Sequence, residues 1–221
     1  MSDGVYILNF HGIGQPIRNF WSGEEIVWIG GGEFEAVLDE VKGREDVLVT
    51  FDDGNVSDIE IALPALQARG MKAHFYIVSD FVGQKGFLSV NDVKTLQAAG
   101  MVIGNHGKRH RPWRGMVAGE LREELVEAKD RLEQIIAGRI HYAACPYGEY
   151  DRRVLTHLRE CGYERVYTSD GGRARKSRWL QPRNSLRCRS NAEEVRQLLG
   201  ETGFSIKGLA RMCKRSIKRW R

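Results

Sequence analysis

Two neighbouring carboxylates and two spaced imidazoles are the residues of this chain best suited to chemistry. Asp52 and Asp53 belong to the stretch Thr50-Phe51-Asp52-Asp53-Gly54, directly after the apolar run Val47-Leu48-Val49. That run reads as a short buried strand, and the aspartates with the glycine read as its end. Adjacent carboxylates repel, so the end of a core strand suits both only if a metal ion binds there or the pair divides into a base and a ligand. Asp-Asp-Gly is also a common turn, so the pair decides nothing alone. Further on, His106-Gly107-Lys108-Arg109-His110 follows the predicted strand Met101–Gly104. On a helical turn this spacing puts both imidazoles on one face, able to share one ion. With Asp53 they form a two-histidine, one-carboxylate set with open positions, suited to zinc or another divalent first-row metal such as cobalt. The other place open to His110, among Lys108, Arg109 and Arg111, is a solvated basic loop.

These side chains need a frame that brings them together. Predicted strands at Val5–Phe10, Val47–Val49, Lys72–Val78, Met101–Gly104, Ile140–Ala144 and Val166–Thr168 alternate with helical patterns. The helices are expected over Phe34–Val41, Ser57–Leu66, Ser89–Ala99, Val117–Ala137, Arg152–Cys161 and Glu193–Leu199. Ser89 and Gly100 are the expected cap and stop of the third. Such alternation with short connections means a parallel sheet with helices outside, and a barrel is favoured because no glycine-rich phosphate loop follows the first strand. His11, Asp52, Asp53, His106, Pro146 and Asp170 all lie just past predicted strand ends, where a barrel places its chemistry. They are expected to face one mouth. His74 and His141, inside predicted strands, are expected to be core or wall residues.

Thr-Phe-Asp-Asp-Gly followed by His-x-x-x-His resembles the signature of the polysaccharide deacetylases, the NodB-homology group of carbohydrate esterases, over about residues 5–190. The resemblance implies an α/β fold, a distorted (β/α) barrel of about seven strands. It further implies that Asp53, His106 and His110 hold the metal, with zinc the expected ion, and that Asp52 is the general base. The reaction implied is metal-assisted hydrolysis of an N-acetyl group on an amino sugar. Cys145-Pro146-Tyr147-Gly148 is similar to the third family motif, so Pro146, Tyr147 and Gly148 are expected to bind substrate and offer a backbone N–H to the oxyanion.

The chain departs from the pattern in three places. Ala144 stands where many members carry an arginine that orients the base, and Arg183, in Gln181-Pro182-Arg183-Asn184, is the candidate replacement; its other reading is a surface charge. No histidine follows His157, so the late histidine that serves the family as general acid is missing. His11, at the end of a first strand that a closed barrel sets beside the last, is the candidate acid, against a reading in which it only bonds the N-terminal loop. Gly107 replaces the serine or threonine usual after the first metal histidine, removing a hydroxyl that braces the loop. Asp170 falls where the fourth motif would lie, or is a turn residue. Trp113 either stacks on a sugar at the rim or covers the core.

The 221 residues suffice for one barrel-sized domain, and 42% apolar with 29% charged content describes an ordinary globular chain. The four cysteines are scattered without a CxxC pair, excluding a cysteine zinc site and a disulfide scaffold. No apolar run is long enough for a membrane span, and the start lacks the features of a signal peptide, so a cytoplasmic location is expected. The net charge of +5 is uneven, since Lys207–Arg221 carries seven basic residues and no acidic one. The chain thus divides into a barrel over 1–203 and a basic amphipathic helix over 204–221. This helix suits an anionic membrane surface or packs on the barrel. Nucleic acid is a poor partner, because aromatic interleaving and any recognised module are absent. The expected substrate is an N-acetylated sugar in a glycan, glycolipid or lipid-linked precursor. The competing reading is a catalytically impaired sugar-binding or scaffold protein of a membrane-associated glycan assembly system.

Overall fold

The computed structural model describes residues 3–200 and Lys218. The basic helix expected over 204–221 therefore lies outside the described residues, apart from Lys218. Among the described residues no helix is long and apolar enough to cross a membrane.

Six strands run parallel, each paired with the next: β1 (Gly4–Phe10), β2 (Val47–Asp53), β3 (Ala73–Ile77), β4 (Val102–Asn105), β5 (Tyr142–Ala144) and β6 (Arg165–Thr168). The crossovers carry α1 (Gly31–Val41), α2 (Leu63–Ala68), α3 (Val90–Ala98), α4 (Ala118–Arg122), α5 (Ala128–Ile136) and α6 (Arg152–Glu160). Ser89 caps α3 as expected, its hydroxyl accepting from Asp92 N while the Asp92 carboxylate accepts from Ser89 N. Asp151 caps α6 by accepting from Val154 N at 2.9 Å.

Three short strands complete the sheet, and none was evident from periodicity. β7 (Ala174–Arg175) lies antiparallel to the start of β1, β8 (Leu180–Pro182) pairs with β6, and β9 (Asn184–Ser185) pairs in parallel with the end of β1. Only Arg183 separates β8 from β9. One extended segment thus leaves the last long strand and joins the first, nearly closing a barrel of eight strands with β9 as the seam. α7 (Ala192–Gly200) follows and packs on α1.

Strand alternation sorts the side chains into two layers. Phe10, Phe51 and Phe75 face the helices in register, with Phe51 and Phe75 stacked at 4.6 Å and Phe34 of α1 edge-on to Phe10 at 5.1 Å. The opposite faces fill the barrel. Val5, Ile7, Tyr76, Ala144, Tyr167 and Ala174 form an apolar plug inside. Above it, toward the carboxyl ends of the strands, the interior turns polar at Asn9, Thr50 and Asp52, all buried.

His74 sits in the barrel wall with Nδ1 3.2 Å from the Tyr76 hydroxyl and its ring stacked on Tyr142 at 5.4 Å. Burial, reinforced by Arg165 and Arg183, lowers its pKa to about 4. The native ring is neutral where the unfolded ring, near 6.5, already binds a proton. Its stabilising contribution is complete above pH ~6.5 and fades as pH falls toward 4. Between pH 7.5 and 5 the protein should lose about 2 kcal/mol more than a His74→Phe variant in urea unfolding; equal losses would show that His74 is not the titrating group.

Candidate active site

Asp52 and Asp53 are the last two residues of β2, and the structure separates them. Asp52 follows the alternation into the barrel, where Arg183 meets it in a bidentate pair, Nη1 to Oδ1 at 2.6 Å and Nη2 to Oδ2 at 2.7 Å. Asn9 Nδ2 donates to the same Oδ2 at 2.9 Å, and Asn9 Oδ1 accepts from Arg183 Nη1 at 2.7 Å. Arg183 is fully buried. Burial pushes the Asp52 carboxyl up, but the Arg183 guanidinium, with His106 and His11, outweighs it and holds the group well below the usual carboxylate range. Asp52 is therefore ionised at any pH near neutrality.

Alternation would send Asp53 to the helix side. Instead its backbone turns left-handed, φ 78°, and its carboxylate faces the mouth beside two imidazoles. Asp53 Oδ1 lies 3.5 Å from His106 Nε2 and 3.2 Å from His110 Nε2. That oxygen is buried and has no hydrogen-bond partner. His106 donates Nδ1–H to the Ala144 carbonyl at 2.8 Å, which leaves the Nε2 lone pair directed at the aspartate. His110 Nδ1 is 3.1 Å from the Tyr147 hydroxyl. Burial lowers the His106 pKa to about 4, so its ring is neutral, the form that binds metal. An orphaned carboxylate oxygen between two imidazole nitrogens fits a divalent first-row cation.

The two histidines do not lie on a helical turn, contrary to the spacing argument. They sit on an irregular loop that reverses through left-handed backbone at Gly107, φ 86°, and His110, φ 53°. A helix would point Nε2 of both rings outward from its own surface. The loop instead folds His110 back over the end of β2.

The mouth is a cleft of about 700 Å³ lined by His11, Asp52, Asp53, His106, His110, Tyr147, Asp170 and Arg183, among others. His11, at the end of β1, has Nε2 3.9 Å from Asp52 Oδ2 and a buried Nδ1 without a partner. Asp170 faces the cleft and accepts from Tyr150 Oη at 2.8 Å and Thr168 Oγ1 at 2.9 Å, with Lys218 Nζ 3.2 Å from its other oxygen. Of Pro146, Tyr147 and Gly148, only Tyr147 is exposed and lines the cleft; Pro146 and Gly148 are buried and shape the turn that carries it. Tyr147 too has left-handed backbone, φ 56°.

Three expectations need correction. Trp113 is fully buried in the main core and cannot stack on a sugar at the rim. Arg183 is buried and not a surface charge, and its terminal nitrogens are spent on Asp52 rather than on a substrate, which agrees with its other reading as the replacement for the arginine missing at Ala144. His141 is exposed and bonded to Glu164 at 2.6 Å, since β5 starts at Tyr142, two residues later than expected. The rim aromatic is Trp21, 42% exposed and ring-stacked with His110 at 6.4 Å. Arg18, which pairs with the buried Glu24, holds that indole from its face at 4.4 Å. Nothing in residue type or spacing had marked Trp21 as a site residue.

The family model described as polysaccharide deacetylase matches residues 39–166, more than half of the 221. The chain belongs to the polysaccharide deacetylase family. YxkH of Bacillus subtilis (strain 168), which carries the polysaccharide deacetylase name, is 24% identical over 149 residues, 67% of this chain and 53% of that protein. The chain thus spans about half the length of that relative. Two solved structures share the fold. The Streptococcus pyogenes deacetylase PplD, in complex with acetate, aligns with TM-score 0.78 at 19% identity over 90% of this chain and 99% of its own. BC0361, a polysaccharide deacetylase from Bacillus cereus, aligns with TM-score 0.78 at 21% identity over 89% of this chain and 69% of its own. His11 and Arg183 lie outside the residues that the family model matches.

The buried pair makes a prediction for this deacetylase-family site. Arg183→Met strands a buried carboxylate and should cost about 3–5 kcal/mol in urea unfolding, whereas Asp52→Asn with Arg183→Met should recover most of it. Equal losses in the single and double variants would contradict the pairing.

Proposed function

We propose that the chain is a metal-dependent carbohydrate deacetylase that hydrolyses the N-acetyl group of an amino sugar. The observation that carries this reading is the division of two adjacent aspartates, one held ionised by Arg183 and one left orphaned between two histidines. Asp53, His106 and His110 would hold the cation, zinc or another first-row metal, which when bound polarises the acetyl carbonyl and stabilises negative charge on its oxygen.

The chain's own groups carry the remaining steps. Asp52 accepts a proton from the water that attacks the carbonyl carbon, and Arg183 and Asn9 fix the plane of its carboxylate for that transfer. A backbone N–H of the Pro146–Gly148 turn supports the oxyanion. His11 delivers a proton to the departing nitrogen as the C–N bond breaks, so acetate and a free amine leave. Trp21 and Tyr147, both exposed and both in ring contact with His110, offer apolar faces to the sugar ring.

The substrate class proposed is an N-acetylated sugar in a glycan, glycolipid or lipid-linked precursor. Association with an anionic membrane surface through the basic C-terminal segment, at the cytoplasmic face, is part of the same proposal and rests on sequence alone. Its test is partition onto anionic vesicles with and without Ser205–Arg221, where unchanged partition removes it.

Acetate release from N-acetylated chitooligosaccharides with added zinc or cobalt tests the activity. Asp52→Asn should lower kcat about 10²- to 10⁴-fold, and His11→Ala should lower it by a similar order while metal binding is kept. Trp21→Ala should raise KM roughly three- to tenfold with a smaller change in kcat. No release by the parent with any metal would favour the sugar-binding reading, and an unchanged rate in Asp52→Asn would remove the mechanism.

A further inference from the structure

Two of the three proposed metal ligands ride on a strained irregular loop, which requires something to hold it. Gly107, in the middle of that loop, has no side chain with which to brace it. A carboxylate from another element stands in its place. Between α4 and α5 the helix widens into a π turn at Glu123–Glu127. Glu124, on that turn, is buried, and its carboxylate accepts Lys108 N at 2.7 Å and Arg109 N at 3.3 Å. A Cβ at Gly107 would fall 2.5 Å from Glu124 Oε2, and the backbone there is left-handed. Glycine at 107 and glutamate at 124 therefore form a matched pair.

The π turn grips the start of the loop as well. Its wider hydrogen bonding turns backbone carbonyls outward. Asn105 Nδ2 donates to Glu124 O at 3.3 Å, and Tyr163 Oη donates to Leu125 O at 2.8 Å. Asn105 Nδ2 also meets the Tyr163 hydroxyl at 2.7 Å, while Asn105 Oδ1 accepts Gly107 N at 2.7 Å. Both ends of the stretch from 105 to 109 are thus bonded to one helical turn, and His106 and His110 flank the Glu124 contacts.

We infer that Glu124 is a positioning residue that holds the His106–His110 loop in its metal-binding shape, with the π turn as its platform. The inference rests on the metal reading above, but its test does not need turnover. Glu124 acts through one acceptor oxygen, Oε2, which takes both the Lys108 and the Arg109 N–H, rather than through its charge. Glutamine keeps an acceptor at the same reach and removes the charge; aspartate keeps the charge and withdraws the acceptors by one methylene.

The experiment measures Co²⁺ affinity by chelator competition, and the Co²⁺ visible spectrum, for the full-length parent, Glu124→Gln, Glu124→Asp and Glu123→Ala. Glu123 pairs with Arg109 at 2.9 Å on the exposed side and serves as the control. Glu124→Asp should bind about 10- to 100-fold more weakly with an altered spectrum, as expected for loss of an outer partner of the ligands. Glu124→Gln and Glu123→Ala should stay within about threefold of the parent. The reverse ranking, with glutamine weak and aspartate normal, would show a charge effect and overturn the inference. Normal affinity and spectrum in all three variants would overturn it too. A parent that binds no Co²⁺ would remove the metal reading, and the inference with it.

Discussion

Burying two neighbouring carboxylates under one mouth is possible here because Arg183 pairs with one of them inside the barrel. Isolated in that setting, Asp52 would carry a desolvation cost of several kcal/mol, and beside Asp53 it would tend to stay protonated. The guanidinium removes both problems, and Asn9 supplies the hydrogen bond that fixes the carboxylate plane. The pair also depends on closure of the sheet. Arg183 occupies the single step at which the chain passes from pairing with β6 to pairing with β1, so the residue that joins the ends of the barrel points into its centre. The step that closes the sheet also places the guanidinium that keeps Asp52 ionised.

The second constraint is backbone strain at the site. Apart from Ala137, the non-glycine residues with left-handed backbone among those described are Asp53, His110 and Tyr147, and all three face the cleft. Each costs of order 1 kcal/mol or more, and each is held by neighbours. Asp53 is held by β2 and β3 pairing, His110 by the loop that Glu124 braces, and Tyr147 by the turn through Pro146 and Gly148. The strain turns three side chains toward a common point that regular strand and helix geometry would have kept apart.

Much of this was legible in the residues. The six long strands and their helices follow from apolar periodicity, and the grouping of Asp53, His106 and His110 at one mouth from residue type and position. What was not legible has a physical cause. β7, β8 and β9 have two or three residues each, too few to show a period, so the closure that places Arg183 left no pattern, although the residue itself was the candidate to replace the arginine missing at Ala144. The His-x-x-x-His spacing suggested a helix because period alone cannot report left-handed backbone at His110. Trp113 and Trp21 were indistinguishable by type; long-range packing put one in the core and the other at the rim. Glu124 was hidden in a charged helix whose π turn has no sequence signature.

The central claim is that the two aspartates have separate duties, and a crystal structure of the zinc- or cobalt-loaded protein with anomalous scattering tests it most directly. The account predicts one ion bound by Asp53, His106 and His110, with Asp52 still paired to Arg183 and outside the coordination sphere. An ion bridged by both Asp52 and Asp53, with the Arg183 pair broken, would contradict it.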